Sequence, residues 1–220
     1  MGNVPVRALT RASLARGLRH LAAVDGDLAR VLEEHGRPPL WEREEGFGTL
    51  VLTILEQQVS LASARAAYER LLALASPLTP ESFLALDDAA LRRAGFSRQK
   101  TIYARHLAQL IKEGELDLAA LEMMSDDAAR AALMRVKGVG AWTAEIYLLR
   151  ALLRRDAWPA VDLALAIAAH EVKRLPARPT PVELEELAQA WKPWRAVAAR
   201  LLWHHYLRRL TRARARAESP

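Results

Sequence analysis

Within the stretch LMRVKGVGAWTAEIYLLRALLRRDAWPAVDLAL, residues 133–165, Gly138 and Gly140 flank a single valine, and Asp162 follows the second glycine by twenty-two residues in an apolar setting. Apolar spacing predicts helices over 126–136 and 141–153, so only Lys137, Gly138, Val139 and Gly140 are left to link them. Such a link forces an antiparallel or crossed helix pair. Its glycines permit positive φ and let backbone come close to something outside, while the helix after them points unpaired N–H groups the same way. An anion, typically a phosphate, fits there. A tight helix–helix turn with no ligand satisfies the same residues. Asp162 stands where the next helix starts, with Pro159 stiffening the approach, and a carboxylate in that place is an ordinary N-cap. What argues for more than a turn and a cap is their combination in one short stretch.

Composition restricts what that combination can serve. The 220-residue chain is 51% hydrophobic, enough to bury a core in one large domain or two small ones. With 32 Lys and Arg against 26 Asp and Glu, the net charge is +6, and the pI is about 10.0. A polyanion, nucleic acid first, is the natural partner by electrostatics. Arginines that merely solvate helix faces would give the same totals. The absence of cysteine removes disulfides, thiolate catalysis, Cys-ligated zinc and iron–sulfur clusters. No run of eighteen apolar residues occurs, and the N-terminal MGNVPVRALTRASLARG lacks the apolar core of a signal peptide, so an intracellular protein with no membrane partner is expected. His106, His170 and the pair His204-His205 lack companions at metal-ligand spacing and read as surface or boundary residues.

The elements that must position these groups are helices. Apolar residues recur at helical spacing, as in Leu14, Leu18 and Leu21 or Leu50, Val51, Ile54 and Leu55, and period-two alternation is absent, so the fold class is all-α. Besides the two helices already placed, others are expected over 11–23, 27–35, 46–57, 60–75, 80–85, 88–94, 98–113, 117–122, 162–173, 181–190 and 194–212. Thr79-Pro80 and Thr180-Pro181 each set a capping hydroxyl before a first-turn proline, and Glu183 completes a capping box with Thr180. Gly95, Gly114 and Asp25-Gly26 punctuate helix ends. No repeat or low-complexity linker stands out except the terminal RRLTRARARAESP, which is expected to begin as helix and fray over 212–220 into a flexible basic tail.

KGVGAWTAEIYLL followed by WPAVDLAL resembles the helix-hairpin-helix plus Gly/Pro/Asp signature of the base-excision DNA glycosylase superfamily, and is most similar to its 3-methyladenine DNA glycosylase II (AlkA) branch. LTILEQQVSLASA at 52–64, GFSRQKTIYARHLA at 95–108 and WKPWRAVAARLLW at 191–203 agree in the family's order, so the resemblance runs from about residue 40 to 205. It implies a single glycosylase domain over 1–220 with the helix-hairpin-helix glycosylase fold. In that fold 1–45 plus the C-terminal helices form one helical subdomain and 46–155 the other, with the active-site cleft between them. Residues 133–165 would be the hairpin and its Gly/Pro/Asp loop. The family's N-terminal antiparallel sheet is not expected, since about 45 residues precede the helix leading to Gln58.

The resemblance further implies a monofunctional DNA glycosylase of base excision repair, a monomer that flips alkylated purines such as 3-methyladenine from damaged double-stranded DNA and leaves an abasic site. Asp162 matches the catalytic carboxylate. An alkylated purine already carries positive charge and leaves without a general acid, so one carboxylate suffices to stabilise an oxocarbenium-like sugar and direct water. Many glycosidases acting on sugars need two. Trp142, Trp203, Ile146 and Leu163 match base-pocket positions, the tryptophans offering electron-rich faces to a cationic base, with core packing the competing account of each tryptophan. Ile146, Leu163 and Ala164 stand where the best-known member has two aromatics and a leucine, which implies a roomier, less electron-rich pocket. Gln58 in EQQVS matches the wedge that fills the vacated space, and reads otherwise as a buried glutamine bonding nearby backbone. Lys137, Gly138, Val139, Gly140 and Thr143 match phosphate contacts. Main-chain oxygens of Met134, Val136 and Val139 match those that hold a monovalent cation, Na+ or K+, in relatives; no other cofactor is required. Trp142 occupies the place where strand-cleaving relatives carry a Schiff-base lysine, and Lys137 lies five residues too early, so lyase activity is not expected. Trp191 and Trp194 are assigned to packing between the last helices. Two further readings are a noncatalytic hairpin protein that binds DNA lesions or junctions, and a helical interaction protein with an incidental GVG turn. Asp162, Gln58 and two pocket tryptophans together argue against the first; the second predicts no salt-sensitive DNA binding.

Overall fold

The computed structural model describes residues 8–217, with side chains through Arg212. In chain order its helices are α1 (Arg11–Val24), α2 (Gly26–His35), α3 (Phe47–Glu56), α4 (Leu61–Leu74), α5 (Pro80–Leu84), α6 (Asp88–Ala94), α7 (Arg98–Lys112), α8 (Asp126–Met134), α9 (Ala141–Arg150), α10 (Leu163–Val172), α11 (Pro181–Ala188) and α12 (Arg195–Ala217). Short 3-10 turns occupy Ala120–Met123 and Gln189–Trp191. One isolated β-bridge, Ala8 with Arg154, is the remaining pairing among the described residues. None of the described helices is long and apolar enough to cross a membrane.

The starts follow from capping side chains. Thr10, Thr79 and Thr180 each close a capping box with the residue three positions on. Most boundaries fall within two residues of those read in the sequence, and three elements differ by more or in kind. The helix expected over 117–122 is a 3-10 turn, because the Asp117 carboxylate takes the N–H groups of Ala119 and Ala120 and tightens the chain. The helix expected to reach 153 ends at Arg150: Ala151 and Leu152 both donate to the Tyr147 carbonyl, and Leu153 takes φ +50°. The last helix runs to Ala217, past the 212 at which a tail was expected to begin, while 218–220 lie outside the described residues.

The described residues form two compact units, one of Glu42–Leu152 and one of 8–41 together with 153–217. In the first, α3 buries Leu50, Val51, Ile54 and Leu55 and packs against α4, α7 and α9. A bidentate pair joins Arg43 to Glu56 at 3.0 and 2.5 Å. Burial draws the nearby Arg150 guanidinium down to about 10, reinforced by the charge of Arg43 and opposed by Glu56. The Tyr147 hydroxyl accepts the Gly46 N–H at 2.9 Å, and burial pushes that phenol up to about 12.

In the second unit α12 packs on α1, α2 and α10. Helices α1 and α12 meet at Gly17, where a Cβ would stand 2.8 Å from the Trp194 ring and 2.9 Å from Val197. Arg200 is fully enclosed and spends its guanidinium on the carbonyls of Leu40 and Ala196. His204 lies deeper than the surface or boundary place expected of it: it is buried and paired with the His35 carbonyl that ends α2. Asp25 is the hub. It caps α2 through the N–H groups of Asp27 and Leu28, and accepts the Trp191 indole N–H at 2.8 Å and the Lys173 ammonium at 2.9 Å.

Burial raises the Asp25 pKa, but the bonds from Trp191, Lys173 and Leu28 and the charge of Lys173 outweigh it, and the net shift is downward. A carboxylate lowered in the folded state stabilises the fold above its unfolded pKa near 3.8, and that contribution disappears as pH falls through the folded value. Asp25→Ala is therefore expected to cost about 2–4 kcal/mol in urea unfolding at pH 7. The difference from the unmodified protein should shrink as the titration is repeated below pH 4; a constant difference would mean the charge contributes nothing.

Candidate active site

The hairpin lies in the first unit. Helix α8 starts on the Ser125 hydroxyl and ends with tightened bonds, Arg135 N–H to Ala132 and Val136 N–H to Leu133. The chain then reverses at Gly138, whose φ is +82°. That glycine is obligatory on steric grounds too, since a Cβ there would stand 2.1 Å from the Tyr103 ring on α7. Gly140 differs from expectation. Its φ of −93° is extended, because it is the N-cap of α9 and N-caps take β-region backbone. Beyond its chain neighbours nothing lies within 4 Å of where its Cβ would be, so the space beside this exposed N-cap is open.

The other expected phosphate contacts divide. Lys137 is exposed. Val139 is buried, and its N–H donates to the Val136 carbonyl at 3.0 Å, so it anchors and closes the turn rather than offering that N–H outward. Thr143 is 2% exposed and turns its hydroxyl inward onto Gln57, which leaves its backbone N–H, in the first turn of α9, as the group aligned with Gly140. Arg130 of α8 bonds Glu145 of α9 at 2.5 Å, clamping the two helices across the hairpin. The three oxygens expected to face a cation belong to residues at the end of α8 and in the turn. The Met134 carbonyl is the last of its helix, and the Val136 carbonyl already accepts the Val139 N–H, which leaves it one lone pair. A hard monovalent cation suits such main-chain oxygens at the negative end of a helix dipole.

Gln57 is the residue that the sequence reading missed. Its carboxamide nitrogen donates to the Gly138 carbonyl at 2.9 Å and to the Thr143 hydroxyl at 3.0 Å, tying the end of α3 to both sides of the hairpin. The buried, backbone-bonding role weighed for Gln58 is thus played by its neighbour. Gln58 itself is exposed, with φ +57°, a left-handed backbone that costs a non-glycine residue about 1–2 kcal/mol. From the far side α7 supports the same elements: Lys100 donates to the Leu55 carbonyl at 2.6 Å and His106 accepts the Lys137 N–H at 3.0 Å. The only sequence signal for these contacts was their spacing in KTIYARH, which places 100, 103 and 106 on successive turns.

Asp162 lies in the second unit. Trp158 packs edge-on against Trp191 at 5.5 Å and anchors the loop, and the Asp162 N–H returns to the Pro159 carbonyl at 2.9 Å. As N-cap of α10, Asp162 accepts the Leu165 N–H on Oδ1 at 2.9 Å. The same oxygen accepts the indole N–H of Trp203 at 3.1 Å. Sequence reasoning cast Trp203 as a stacking surface, with core packing the alternative; the structure gives it a bond to the carboxylate as well. Val161 and Leu163 on either side are 51% and 60% exposed, an apolar rim around a half-buried acid. Of the remaining pocket positions, Trp142 is half-buried and Ile146, one turn along α9, is only 3% exposed, so its side chain serves the core.

Residues 51–194 match the HhH-GPD superfamily of base excision DNA repair proteins. The chain belongs to this superfamily. A similar HhH-GPD relative is DNA-3-methyladenine glycosylase 1 of Schizosaccharomyces pombe, 28% identical over 205 residues, which span 90% of this chain and 88% of that protein. The structure of the S. pombe 3-methyladenine DNA glycosylase in complex with abasic DNA superposes with a TM-score of 0.79 at 28% identity, covering 86% of this chain and 95% of that one. A Bacillus halodurans DNA-3-methyladenine glycosidase superposes with a TM-score of 0.74 at 30% identity over 91% and 92% of the two chains. The all-α HhH-GPD fold expected from the hairpin motif is therefore the fold observed.

Gln57→Leu keeps the bulk of the side chain but strands the Gly138 carbonyl and the Thr143 hydroxyl. The expected cost is about 1–3 kcal/mol of stability, with hydrogen exchange accelerating selectively over residues 138–143. Uniform acceleration across the first unit, or none, would show that Gln57 is not the tie that holds the hairpin.

Proposed function

We propose that the protein is a monofunctional DNA glycosylase that flips alkylated purines such as 3-methyladenine from duplex DNA and hydrolyses the N-glycosidic bond, leaving an abasic site. The observation that carries this reading is Asp162: one carboxylate oriented by two donors on a single oxygen, in a chain whose relatives are named for 3-methyladenine. In the proposed reaction the bond from the sugar C1′ to the base breaks heterolytically, and its electrons neutralise the cationic purine. Asp162 places fixed negative charge beside the sugar as its positive charge develops. Water then adds to C1′, and the carboxylate receives the proton that the water loses.

Local geometry supports several of the remaining proposed roles. The open space beside Gly140, the N-cap of α9, suits a phosphate oxygen approaching the first N–H groups of that helix, with Lys137 adding charge. Gln58, exposed on a backbone held in a strained conformation, is suited to fill the gap left by the flipped nucleotide. Trp142 and Trp203 are the aromatic side chains assigned to a cationic base, and Leu163 and Ile146 the aliphatic ones assigned beside them. Met134, Val136 and Val139 would hold a Na+ or K+ ion through main-chain oxygens, adding positive charge beside the phosphate grip. Trp142 stands where a lyase would need its lysine, and Lys137 precedes it by five residues, so no strand cleavage is proposed. Damaged double-stranded DNA is the partner, and the protein acts as an intracellular monomer.

The test is to incubate the protein with methylated duplex DNA, quantify free bases, and score strand nicks before and after alkali. Release of 3-methyladenine with nicks only after alkali is expected. Asp162→Asn should slow release about a hundredfold or more while leaving DNA affinity within about threefold. Unchanged release in the variant would remove Asp162 from the chemistry, and nicks before alkali would overturn the monofunctional assignment. Salt-sensitive DNA binding with no base released would favour the noncatalytic hairpin protein.

A further inference from the structure

The Lys137–Gly138 segment is held at three points. Its carbonyl end, at Gly138, accepts Gln57; the Gly138 Cα lies against the Tyr103 ring; and its N–H end, at Lys137, is accepted by His106 Nδ1 at 3.0 Å. Two of these supports come from α7, which also takes the end of α3 through Lys100. Lys137 is exposed, so without His106 a water could accept its N–H. What the imidazole supplies is therefore a fixed direction for that N–H more than satisfaction of a buried group. The Lys137 N–H belongs to the Val136–Lys137 peptide and the Gly138 carbonyl to the Gly138–Val139 peptide, so the two bonds fix the planes on either side of the Lys137–Gly138 unit, and their orientation carries through Val139 to Gly140 and the first turn of α9 because each peptide unit is planar and only φ and ψ separate one from the next.

We propose that His106 is a positioning residue of the hairpin: its Nδ1, by accepting the Lys137 N–H, sets the orientation in which the N–H groups around Gly140 meet a DNA phosphate. The inference rests on the reading of the hairpin as a phosphate grip. Acceptance at Nδ1 requires the imidazole proton on Nε2, so the ring acts in its neutral form. Asparagine can imitate this, since its amide oxygen falls where Nδ1 does, whereas phenylalanine keeps the ring and loses the acceptor.

The test compares His106→Phe, His106→Asn and Lys137→Glu, measuring single-turnover base release against DNA concentration on methylated duplex. For His106→Phe the half-saturating DNA concentration should rise about three- to fivefold, the size expected of one lost hydrogen bond, while the rate at saturation stays within about twofold. His106→Asn should restore affinity. Equal weakening in both variants would assign the effect to packing and overturn the proposal, as would a loss confined to the saturating rate. Unchanged affinity in His106→Phe alongside weakened binding in Lys137→Glu would overturn it while leaving the phosphate grip intact. Unchanged affinity in Lys137→Glu would instead remove the grip, and the inference with it.

Discussion

The carboxamide of Gln57 is the interaction on which the arrangement of the first unit turns. A single nitrogen supplies both of its hydrogens, one to the carbonyl of the left-handed Gly138 and one to the hydroxyl of Thr143 in the next helix. Because the acceptors stand on opposite sides of the turn, the pair of bonds fixes the turn's width as well as its place. Gln57 is also the C-cap of α3, so the strained, exposed Gln58 next to it is registered to the hairpin by one intervening peptide. Local strain at Gln58 persists because the surrounding bonds over-determine it.

In the second unit the corresponding device is the N-cap. Asp162 has an ordinary structural duty, accepting the Leu165 N–H that has no partner within the helix, and the same bond orients its carboxylate. Trp203 adds a second donor on the same oxygen. A cap aligned with a helix N-terminus lies in the positive end of the helix dipole, which favours a charged carboxylate there. Structural capping and the proposed catalytic role are therefore not alternatives for Asp162. One geometry serves both.

Several charges drawn into the two units are met locally. Arg43 with Glu56, Arg130 with Glu145, and Lys173 with Asp25 each pair a cation with an anion at hydrogen-bond distance, and Arg200 is taken by carbonyls. Buried pairs of this kind add little net stability but are costly to break singly. Exposed basic side chains such as Lys137 are available to a polyanion.

The sequence by itself determined the helical class, most helix starts, the hairpin and the carboxylate, because these depend on short-range chemistry. Apolar periodicity, a hydroxyl or carboxylate before a helix, and glycines in a four-residue link act over one or two turns and are readable residue by residue. What only the tertiary structure decided were pairings between residues distant in the chain. Gln57 and Gln58 are adjacent and chemically identical, and only the approach of α9 assigns the structural bond to one and exposure to the other. Gly138 and Gly140 are likewise indistinguishable in a motif, yet Tyr103 lies against one and open space against the other. Trp203 meets Asp162 across forty-one residues, and His106 meets Lys137 across thirty-one. No local propensity encodes those contacts, because the partner that selects among equivalent side chains arrives only when the helices pack.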